Sequence, residues 1–535
     1  MKARHILQIA ATAVLLALAF PNASFWPLAY VGLIPLMLFS RKRSWKQAFF
    51  AGTAAGLLFY GITFSWFASL TYWVGSIALL GVGLLLLLFA CFWGAVWVGK
   101  KYIEETMPAA LAIFFPALWI LMEYVENHIF TGFGWGSLGY TQWNNLPVAQ
   151  LASVGSIYST GFFVVVVNVL IYQVIVNARS LKRLLIPAAA AILVIGGVWL
   201  WGAHQTDQPD MTSPLRVGVI QPNFSLDVKW SEEYAVHMLK VQKRMTDQLA
   251  AEGAQLIIWP ESALYGFLVN EIDRVGRIVR ENNIHLLMGS NHYERVVIRG
   301  EEDILYYNSA FLLDPEGRIL GRYDKRHLAP FGEYVPMANV IGFVGKVVPA
   351  ISDFSAGSEI THFEVGGRKF AVLICFENSF PHVVRESAQG VDFLVQITND
   401  GWFGRSAQPR QDLAIAVFRA IENGMTLARG TNTGISCFID PWGKVSGIVH
   451  NAWGEEVFAR GISEEPISTV SHPTLYNRYG DLFVMVCLGL VVLAGGIGFY
   501  RGRFSGMRAA RQKDSDVEEG RTAAVVTAKG KSSKR

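Results

Sequence analysis

The apolar stretches of this chain restrict its fold more than any other feature of the sequence. A helix that crosses a membrane needs about 20 mostly apolar residues. Stretches of this kind fill most of the first 202 residues, and one more lies near the end. We therefore predict eight membrane spans, at residues 6–21, 25–40, 48–69, 76–99, 108–125, 157–177, 185–202 and 481–500.

The overall composition agrees with membrane insertion and gives little support for other classes. Hydrophobic residues make up 52% of the chain and charged residues 16%, whereas about a quarter of a soluble domain is charged. The formal net charge of +4 is small for 535 residues and does not indicate a nucleic-acid partner. The cysteines have no paired spacing, so no metal site is indicated, and a Cys375–Cys437 disulfide is possible but not required.

The basic residues predict how the chain is oriented, because Lys and Arg gather on cytoplasmic loops. The loops near residues 22, 70–75 and 126–156 contain neither. We therefore predict that both termini are cytoplasmic and that residues 203–480 lie outside the membrane. The basic clusters that alternate with these loops are Lys2 and Arg4, Arg41 to Lys46, Lys100 and Lys101, Arg179 to Arg183, and Arg501 onward.

The predicted domains follow from these spans. Residues 1–202 form a seven-helix membrane domain, residues 215–468 an outside catalytic domain, and residues 481–500 the eighth span. The tail, residues 501–535, is rich in Lys, Arg, Ser, Gly and Ala and is expected to be a disordered cytoplasmic anchor.

Residues 215–468 alternate between short β-branched runs and amphipathic segments, the pattern of an α/β sandwich with two sheets and helices outside them. Residues 232–251 have helical spacing. The turns Asp314–Gly317 and Asp440–Gly443 should close hairpins. Strands are predicted at residues 215–221, 254–259, 284–290, 309–314, 370–375, 393–398 and 434–440.

Three segments of this domain carry reactive side chains. Cys375 ends one apolar run and Glu261 ends another, and Lys325 lies in a polar segment between them. A thiol becomes nucleophilic as the thiolate, which a nearby base or cation favours. Glu261 is a candidate general base, and Lys325 is a candidate cation for an oxyanion. The amide N–H of Phe376 is a second oxyanion donor, and Glu333 could orient Lys325.

Each of these residues also has an ordinary structural interpretation. A cysteine in an apolar strand is usually a small core residue. A glutamate after Trp-Pro commonly lies in a surface turn, and Lys325 lies among other charges. The combination is more specific than its members.

The Glu261, Lys325 and Cys375 arrangement resembles the nitrilase, or carbon-nitrogen hydrolase, superfamily over residues 215–468. The resemblance implies a four-layer αββα sandwich in which these residues form a catalytic triad. With the spans included, residues 1–500 resemble the apolipoprotein N-acyltransferase family of Gram-negative inner membranes. The phrases that support this resemblance are Thr398–Gly404, Arg429–Gly434, Thr131–Trp135 and Leu138–Gln142.

That resemblance implies an activity and its partners. A phospholipid would donate an acyl chain to Cys375 as a thioester, and a diacylglyceryl-modified apolipoprotein would accept it on its N-terminal amine. The implied setting is a multi-pass inner-membrane protein with a periplasmic catalytic domain, acting as a monomer without cofactor or metal.

The resemblance also assigns roles to residues outside the triad: the supporting positions of the family are matched by Glu333, Glu377, Asn308 and Trp230. Trp135, Trp402 and Phe403, together with Tyr140 and Trp143, are candidates for an aromatic mouth that admits acyl chains.

The sequence departs from the family pattern at three positions. Phe376 stands where Tyr is frequent, Asp412 where a Gln-His pair is common, and Gly134 where Pro is frequent. These departures concern substrate contacts rather than the triad.

Two other functions remain open from the sequence. A membrane-tethered amidase or nitrilase would use the same triad with water, although eight spans are unexplained for a small soluble substrate. A non-catalytic scaffold or transporter would not require an intact triad, and the spans contain few ionisable residues, of which Glu123 is one.

Overall fold

The computed structural model describes residues 3–75, 77–207, 215–298, 300–334, 353–467 and 473–501. Residue 76 of the predicted fourth span, residues 335–352 and 468 of the predicted catalytic domain, and residues 502–535 of the predicted tail lie outside the described residues.

Apolar helices form the N-terminal region and the C-terminal end of the described chain. Within the described residues, five helices are long and apolar enough to cross a membrane, and the pair Trp45–Thr63 and Ser65–Trp73 is bent by 60°. The first two apolar helices, Ala3–Ala19 and Trp26–Ser40, are shorter. All eight predicted spans thus coincide with helices, while a count of eight crossings stays a prediction. The five long helices are Leu79–Thr106, Pro108–His128, Ala152–Asn177, Leu181–Thr206 and Leu482–Arg501.

Two six-stranded sheets follow the helical region within the described part of the chain. The first has the order β12-β1-β2-β3-β4-β5 and the second β11-β10-β9-β8-β7-β6. Strands β1 to β3 are mutually parallel, as are β7 to β9. The strands are β1 Arg216–Gln221, β2 Leu256–Ile258, β3 His285–Ile298, β4 Glu301–Leu313, β5 Ile319–Asp324, β6 His362–Val365, β7 Arg368–Ile374, β8 Phe393–Thr398, β9 Leu427–Thr431, β10 Cys437–Ile439, β11 Val445–Ser446 and β12 Gly461–Pro466.

The packing gives four layers. Side chains of both sheets, such as Val219 and Ile374, share one core between the sheets. The opposite face of the first sheet packs on the helices Ala235–Ala251 and Leu268–Asn282. The second sheet packs on Pro381–Ser387 and Gln408–Asn423. The prediction of an αββα sandwich is therefore confirmed.

Both predicted hairpin turns are present, joining β4 to β5 and β10 to β11 as antiparallel pairs. The β3–β4 hairpin is longer than predicted, because pairing continues from Asn291↔Asn308 to Ile298↔Glu301 through mostly polar residues. No strand was predicted at β12, whose residues include Glu464 and Glu465. Polar edge strands lack the apolar run that marks a buried strand.

The helix Gln408–Asn423 lies between the second sheet and the membrane helices. All of its residues except Arg410 are buried. Its Gln411 amide donates to the Thr63 carbonyl at 3.0 Å, and its Glu422 accepts a hydrogen bond of 2.6 Å from the Ser156 hydroxyl. We call the contacts between the helix Gln408–Asn423 and the membrane helices, including these two hydrogen bonds, the joint.

Candidate active site

Cys375 lies at the turn that follows β7. Its φ of +51° is in the left-handed region, which non-glycine residues seldom occupy and which is typical of sharp functional turns. The chain then enters the short 3₁₀ helix Cys375–Ser379. Cys375 is a partly exposed residue at the carboxyl end of a parallel strand.

Glu261 follows β2 and is 6% exposed. The side-chain amide of Asn308 donates to its Oε1 at 2.7 Å. Strand β3 passes so close that a Cβ on Gly289 would lie 2.6 Å from the Glu261 Cα, which explains a glycine at this position. The neighbouring strand therefore fixes the backbone of Glu261, and Asn308 fixes its carboxylate.

Lys325 is buried directly after β5 and pairs with Glu333, with 2.7 Å between Nζ and Oε2. Asn308 also donates to the Oε1 of Glu333 at 2.7 Å. A continuous chain of contacts thus runs from Glu261 through Asn308 and Glu333 to Lys325. The backbone reinforces it, because the Lys325 amide donates to the Asn308 carbonyl at 2.9 Å.

The charges of these groups shift one another's pKa. Burial raises the pKa of Cys375, the Glu261 carboxylate raises it further, and Lys325 opposes both. Burial also raises the pKa of Glu261, again opposed by Lys325. Burial alone would lower the pKa of Lys325, but Glu333, Cys375 and Glu261 raise it above its ordinary value. Lys325 therefore stays charged, and Glu261 is more basic than an exposed carboxylate.

Glu377 holds the cysteine turn against the lysine segment. Its Oε2 accepts from the Ile374 amide at 2.8 Å, and its Oε1 accepts from the Tyr323 hydroxyl at 2.7 Å. The same Oε1 accepts from the backbone amides of Arg326 at 2.8 Å and His327 at 3.2 Å. With four donors on a buried carboxylate, Glu377 is suited to support Cys375 and Lys325 rather than to react.

Phe376 is partly exposed beside the thiol, and its ring lies 4.9 Å from that of Phe380 and 5.9 Å from that of His327. Its amide lies in the first turn of the 3₁₀ helix, where backbone N–H groups have no acceptor within the helix. An oxyanion role for this amide stays a prediction.

The candidate lipid-contacting aromatic residues occupy different places. Trp135 is buried, and its indole N–H donates to the Ser379 hydroxyl at 2.8 Å. It therefore stabilises the 3₁₀ helix Cys375–Ser379, which we call the cysteine helix, and is not an exposed aromatic residue at an entrance. Trp402 and Phe403 are partly exposed, with rings 5.3 Å from Trp73 and 4.9 Å from Trp66.

The other aromatic candidates lie elsewhere. Trp230 is exposed, at the end of a short helix. Tyr140 is buried and accepts a hydrogen bond from Arg419 at 3.1 Å. Trp143 donates to the Ser24 hydroxyl at 3.2 Å.

Asp412 belongs to a buried network behind the cysteine helix. Its carboxylate lies 2.6 Å from the Arg429 guanidinium and accepts from the Asn378 amide at 3.2 Å. The same guanidinium pairs with Asp400 at 3.1 Å. Burial raises the pKa of Asp400 to about 6, although Arg429 opposes the rise. Asp412 thus connects Arg429 to Asn378 in the short helix that begins at Cys375.

One buried residue of this region was missed from the sequence. Lys229 is 2% exposed, and its Nζ donates to the backbone carbonyl of Glu261 at 2.7 Å. A lysine within the segment Ser225–Ser231, which contains several polar residues, has the pattern of a surface charge. No sequence signal distinguishes it.

The chemistry available here is that of a thiol, carboxylates and amines. Among the described residues, His, Cys, Asp and Glu form no group of three or more suited to a metal ion. A thiol that interacts with both a basic carboxylate and a fixed ammonium can be acylated and can pass the acyl group to a second nucleophile.

Comparisons with known proteins match both parts of the chain. Residues 12–170 match the family model described as the apolipoprotein N-acyltransferase N-terminal domain, and residues 216–468 match the carbon-nitrogen hydrolase model. A protein named apolipoprotein N-acyltransferase from Geobacter metallireducens is 33% identical, covering 93% of this chain and 96% of its own. A protein of the same name from Methylococcus capsulatus is 30% identical, and the match covers 93% of this chain and 97% of that protein. The solved structure of an amidase from Nesterenkonia sp. matches with a TM-score of 0.37 and 21% identity. The match covers 52% of this chain and 97% of the amidase chain.

Proposed function

Because this chain belongs to the apolipoprotein N-acyltransferase family of the carbon-nitrogen hydrolase superfamily, we propose that it moves a fatty acyl chain from a phospholipid to the N-terminal amine of a diacylglyceryl-modified apolipoprotein. The observation that carries the mechanism is the contact chain from Glu261 through Asn308 and Glu333 to Lys325, beside the thiol of Cys375.

In the first half-reaction the Glu261 carboxylate takes the proton of the Cys375 thiol. The sulfur attacks the ester carbonyl carbon, and a C–S bond forms. Lys325 and the Phe376 amide stabilise the oxyanion of the tetrahedral intermediate. The C–O bond then breaks, and the leaving lysophospholipid oxygen takes the proton from Glu261. The enzyme keeps the acyl chain as a thioester.

In the second half-reaction the neutral amine of the apolipoprotein attacks the thioester carbonyl carbon. Glu261 takes a proton from the attacking nitrogen as the new C–N bond forms. The C–S bond breaks, and the cysteine sulfur regains the proton from Glu261. Atoms and charges balance without any further reactant, and the free thiol is restored.

Both proposed substrates are held in the bilayer by their acyl chains, and this accounts for the attachment of the sandwich to apolar helices. We propose eight crossings with both termini in the cytoplasm and the sandwich, residues 215–468, in the periplasm. The segment Trp402–Phe403 is proposed to contact acyl chains, a role supported by its partial exposure next to the bent helix pair. Trp230, an exposed ring, is proposed as a further substrate contact.

The acyl-enzyme tests this proposal. The purified full chain is incubated with phospholipid vesicles, and the peptide that contains Cys375 is examined by mass spectrometry. We expect a mass increase equal to one fatty acyl group, removable by hydroxylamine, with release of lysophospholipid. Cys437→Ala is the matched control, since Cys437 is buried in β10 of the same domain. An unmodified Cys375 without lysophospholipid would contradict the proposal.

The second half-reaction separates transfer from hydrolysis. When a diacylglyceryl-modified peptide is added to the acyl-enzyme, we expect loss of the thioester to match formation of N-acylated peptide. Release of free fatty acid at the same rate with and without the peptide would indicate a hydrolase.

A further inference from the structure

Lys229 is a buried amine that the mechanism above does not use. It ends the short helix Leu226–Lys229, and its Nζ lies 2.7 Å from the Glu261 carbonyl oxygen. Lysine is almost never fully buried unless its charge is compensated. This lysine reaches inward to the same residue that serves as the proposed base.

The charges of the site explain a second cation. Within the contact chain, Glu261 and Glu333 are two buried carboxylates, and Lys325 alone leaves one of their negative charges uncompensated. The third buried carboxylate, Glu377, lies outside this chain and is stabilised by its own four hydrogen-bond donors. The nearby Arg429 is already shared by Asp400 and Asp412. An unbalanced charge in a buried site is costly and favours protonation of a carboxylate. Lys229 restores neutrality to the group of Glu261, Glu333 and Lys325.

We propose that Lys229 is a positioning residue that supplies the second positive charge of the active site and thereby keeps Glu261 ionised as the base. The acyl-transfer assay that tests this role rests on the function proposed above. Its hydrogen bond also fixes the peptide unit of Glu261, so that the charge and the carboxylate keep a constant separation.

The electrostatics of the two groups agree with this role. Burial lowers the pKa of Lys229 to about 8, while Glu261 and Cys375 counteract the decrease, so the amine is charged at neutral pH. Lys229 is in turn among the groups that lower the pKa of Glu261 against burial. The charged groups around Glu261 are Lys325, Glu333 and Lys229, and those that act on the adjacent Cys375 are Glu261, Lys325 and Asp400.

The sign of the pH effect follows. A general base works when deprotonated, so activity rises as pH rises through the pKa of Glu261. Removing the Lys229 charge raises that pKa further, and the acid limb of the pH profile moves to higher pH. Each unit of movement is about a tenfold loss on that limb.

The test compares Lys229→Met and Lys229→Gln with the wild type between pH 5.5 and 9. We expect the acid limb of acyl transfer to move up by about one pH unit, with about a tenfold loss at pH 6 and little loss at pH 9. Gln keeps a donor for the Glu261 carbonyl but not the charge, so both variants should shift alike. Lys243→Met is the matched control, because Lys243 pairs with Asp247 and Glu281 at the surface.

Two results would overturn the proposal. A loss that is uniform across pH would assign Lys229 a merely structural role. A Gln variant with the wild-type profile would assign the effect to the hydrogen bond instead of the charge. If Lys229→Met fails to fold, Lys229→Gln alone still decides between the outcomes.

Alkylation of Cys375 keeps this inference separate from the proposed function. Its rate with iodoacetamide is followed across the same pH range by quantifying the Cys375 peptide. We expect the acid limb of this rate to shift in the Lys229 variants even if no acyl-enzyme forms. A shift without an acyl-enzyme would contradict the proposed function alone, and an unshifted rate would contradict the role of Lys229.

Discussion

Two buried ion pairs lie in different parts of the molecule and serve different purposes. In the active site, Lys325 pairs with Glu333 near Cys375, a partly exposed residue. In the joint, Arg419 pairs with Glu422, and neither side chain is exposed. Glu422 also accepts from the Ser156 hydroxyl at 2.6 Å and the Ile157 amide at 2.9 Å.

The difference between them lies in their neighbours. The joint pair bonds to fixed groups of the membrane helices, so it connects two parts of the molecule. The site pair is joined through Asn308 to Glu261 and stands near a nucleophile. Burial raises the pKa of Glu422 just as it raises that of Glu261. A buried carboxylate with a raised pKa therefore does not identify an active site by itself. A nucleophile close to that carboxylate is the feature that distinguishes the two pairs.

Removing the nucleophile should have the largest effect on activity and almost none on the fold. For Cys375→Ala we expect acyl transfer to fall by at least about a thousandfold, because no thioester can form. The thermal unfolding midpoint in detergent should stay close to that of the wild type. N-acylation of a lipopeptide and membrane content measure the two effects. Residual transfer near the wild-type rate would show that Cys375 is not the nucleophile.

The site pair should differ from the joint pair in how it responds to a double substitution. Lys325→Met should lower transfer about a hundredfold or more, because an oxyanion donor is lost, and should destabilise the protein by leaving Glu333 unpaired. Adding Glu333→Gln should recover much of the stability but not the activity. Initial rates and unfolding midpoints of the single and double variants form the cycle. Recovery of activity in the double variant would place Lys325 with the structural pairs.

The joint pair should behave in the opposite way. Arg419→Met leaves a buried carboxylate uncompensated, which costs about 3–5 kcal/mol of stability. Adding Glu422→Gln should restore most of this stability and, with it, the activity, because the amide still accepts hydrogen bonds from Ser156 and Ile157. Thermal unfolding and transfer rates measure both. A double variant that regains stability but stays inactive would show that the joint also acts in the reaction.

The smallest effect is expected at the contact between Trp135 and the short helix Cys375–Ser379. Trp135→Phe removes the 2.8 Å hydrogen bond to Ser379 but keeps an aromatic ring. We expect a loss of about 1 kcal/mol and a few-fold lower transfer, with the Cys375 alkylation rate little changed. An inactive but stable variant would argue instead for a direct lipid contact of Trp135.

The sequence predicted those parts of the site that lie at the ends of apolar strands. Cys375 and Glu261 follow β7 and β2, one strand from each sheet, and both were identified because each ends a short apolar run of the sequence. Lys325 and Glu333 were predicted together from one polar segment. The strands in the core were also predicted, because burial produces the apolar runs that identify them.

The remaining features depend on contacts between distant parts of the chain. Trp135 and Ser379 are 244 residues apart, so the burial of Trp135 could not be derived from a local pattern. Lys229 occupies a polar segment, and only the folded chain shows that its amine points inward. Glu377 was assigned a supporting role by family resemblance, but its four donors come from backbone and side-chain groups that no motif encodes.

The helix Gln408–Asn423 has a consequence for how this protein is made. Because it is covered on both sides, residues 215–468 released on their own would leave the apolar outer face of this helix in water, and such patches promote aggregation. During synthesis the N-terminal segments emerge first, so the membrane helices are available as a partner before residue 408 is added. We therefore expect the sandwich to be completed against apolar helices that precede it in the chain.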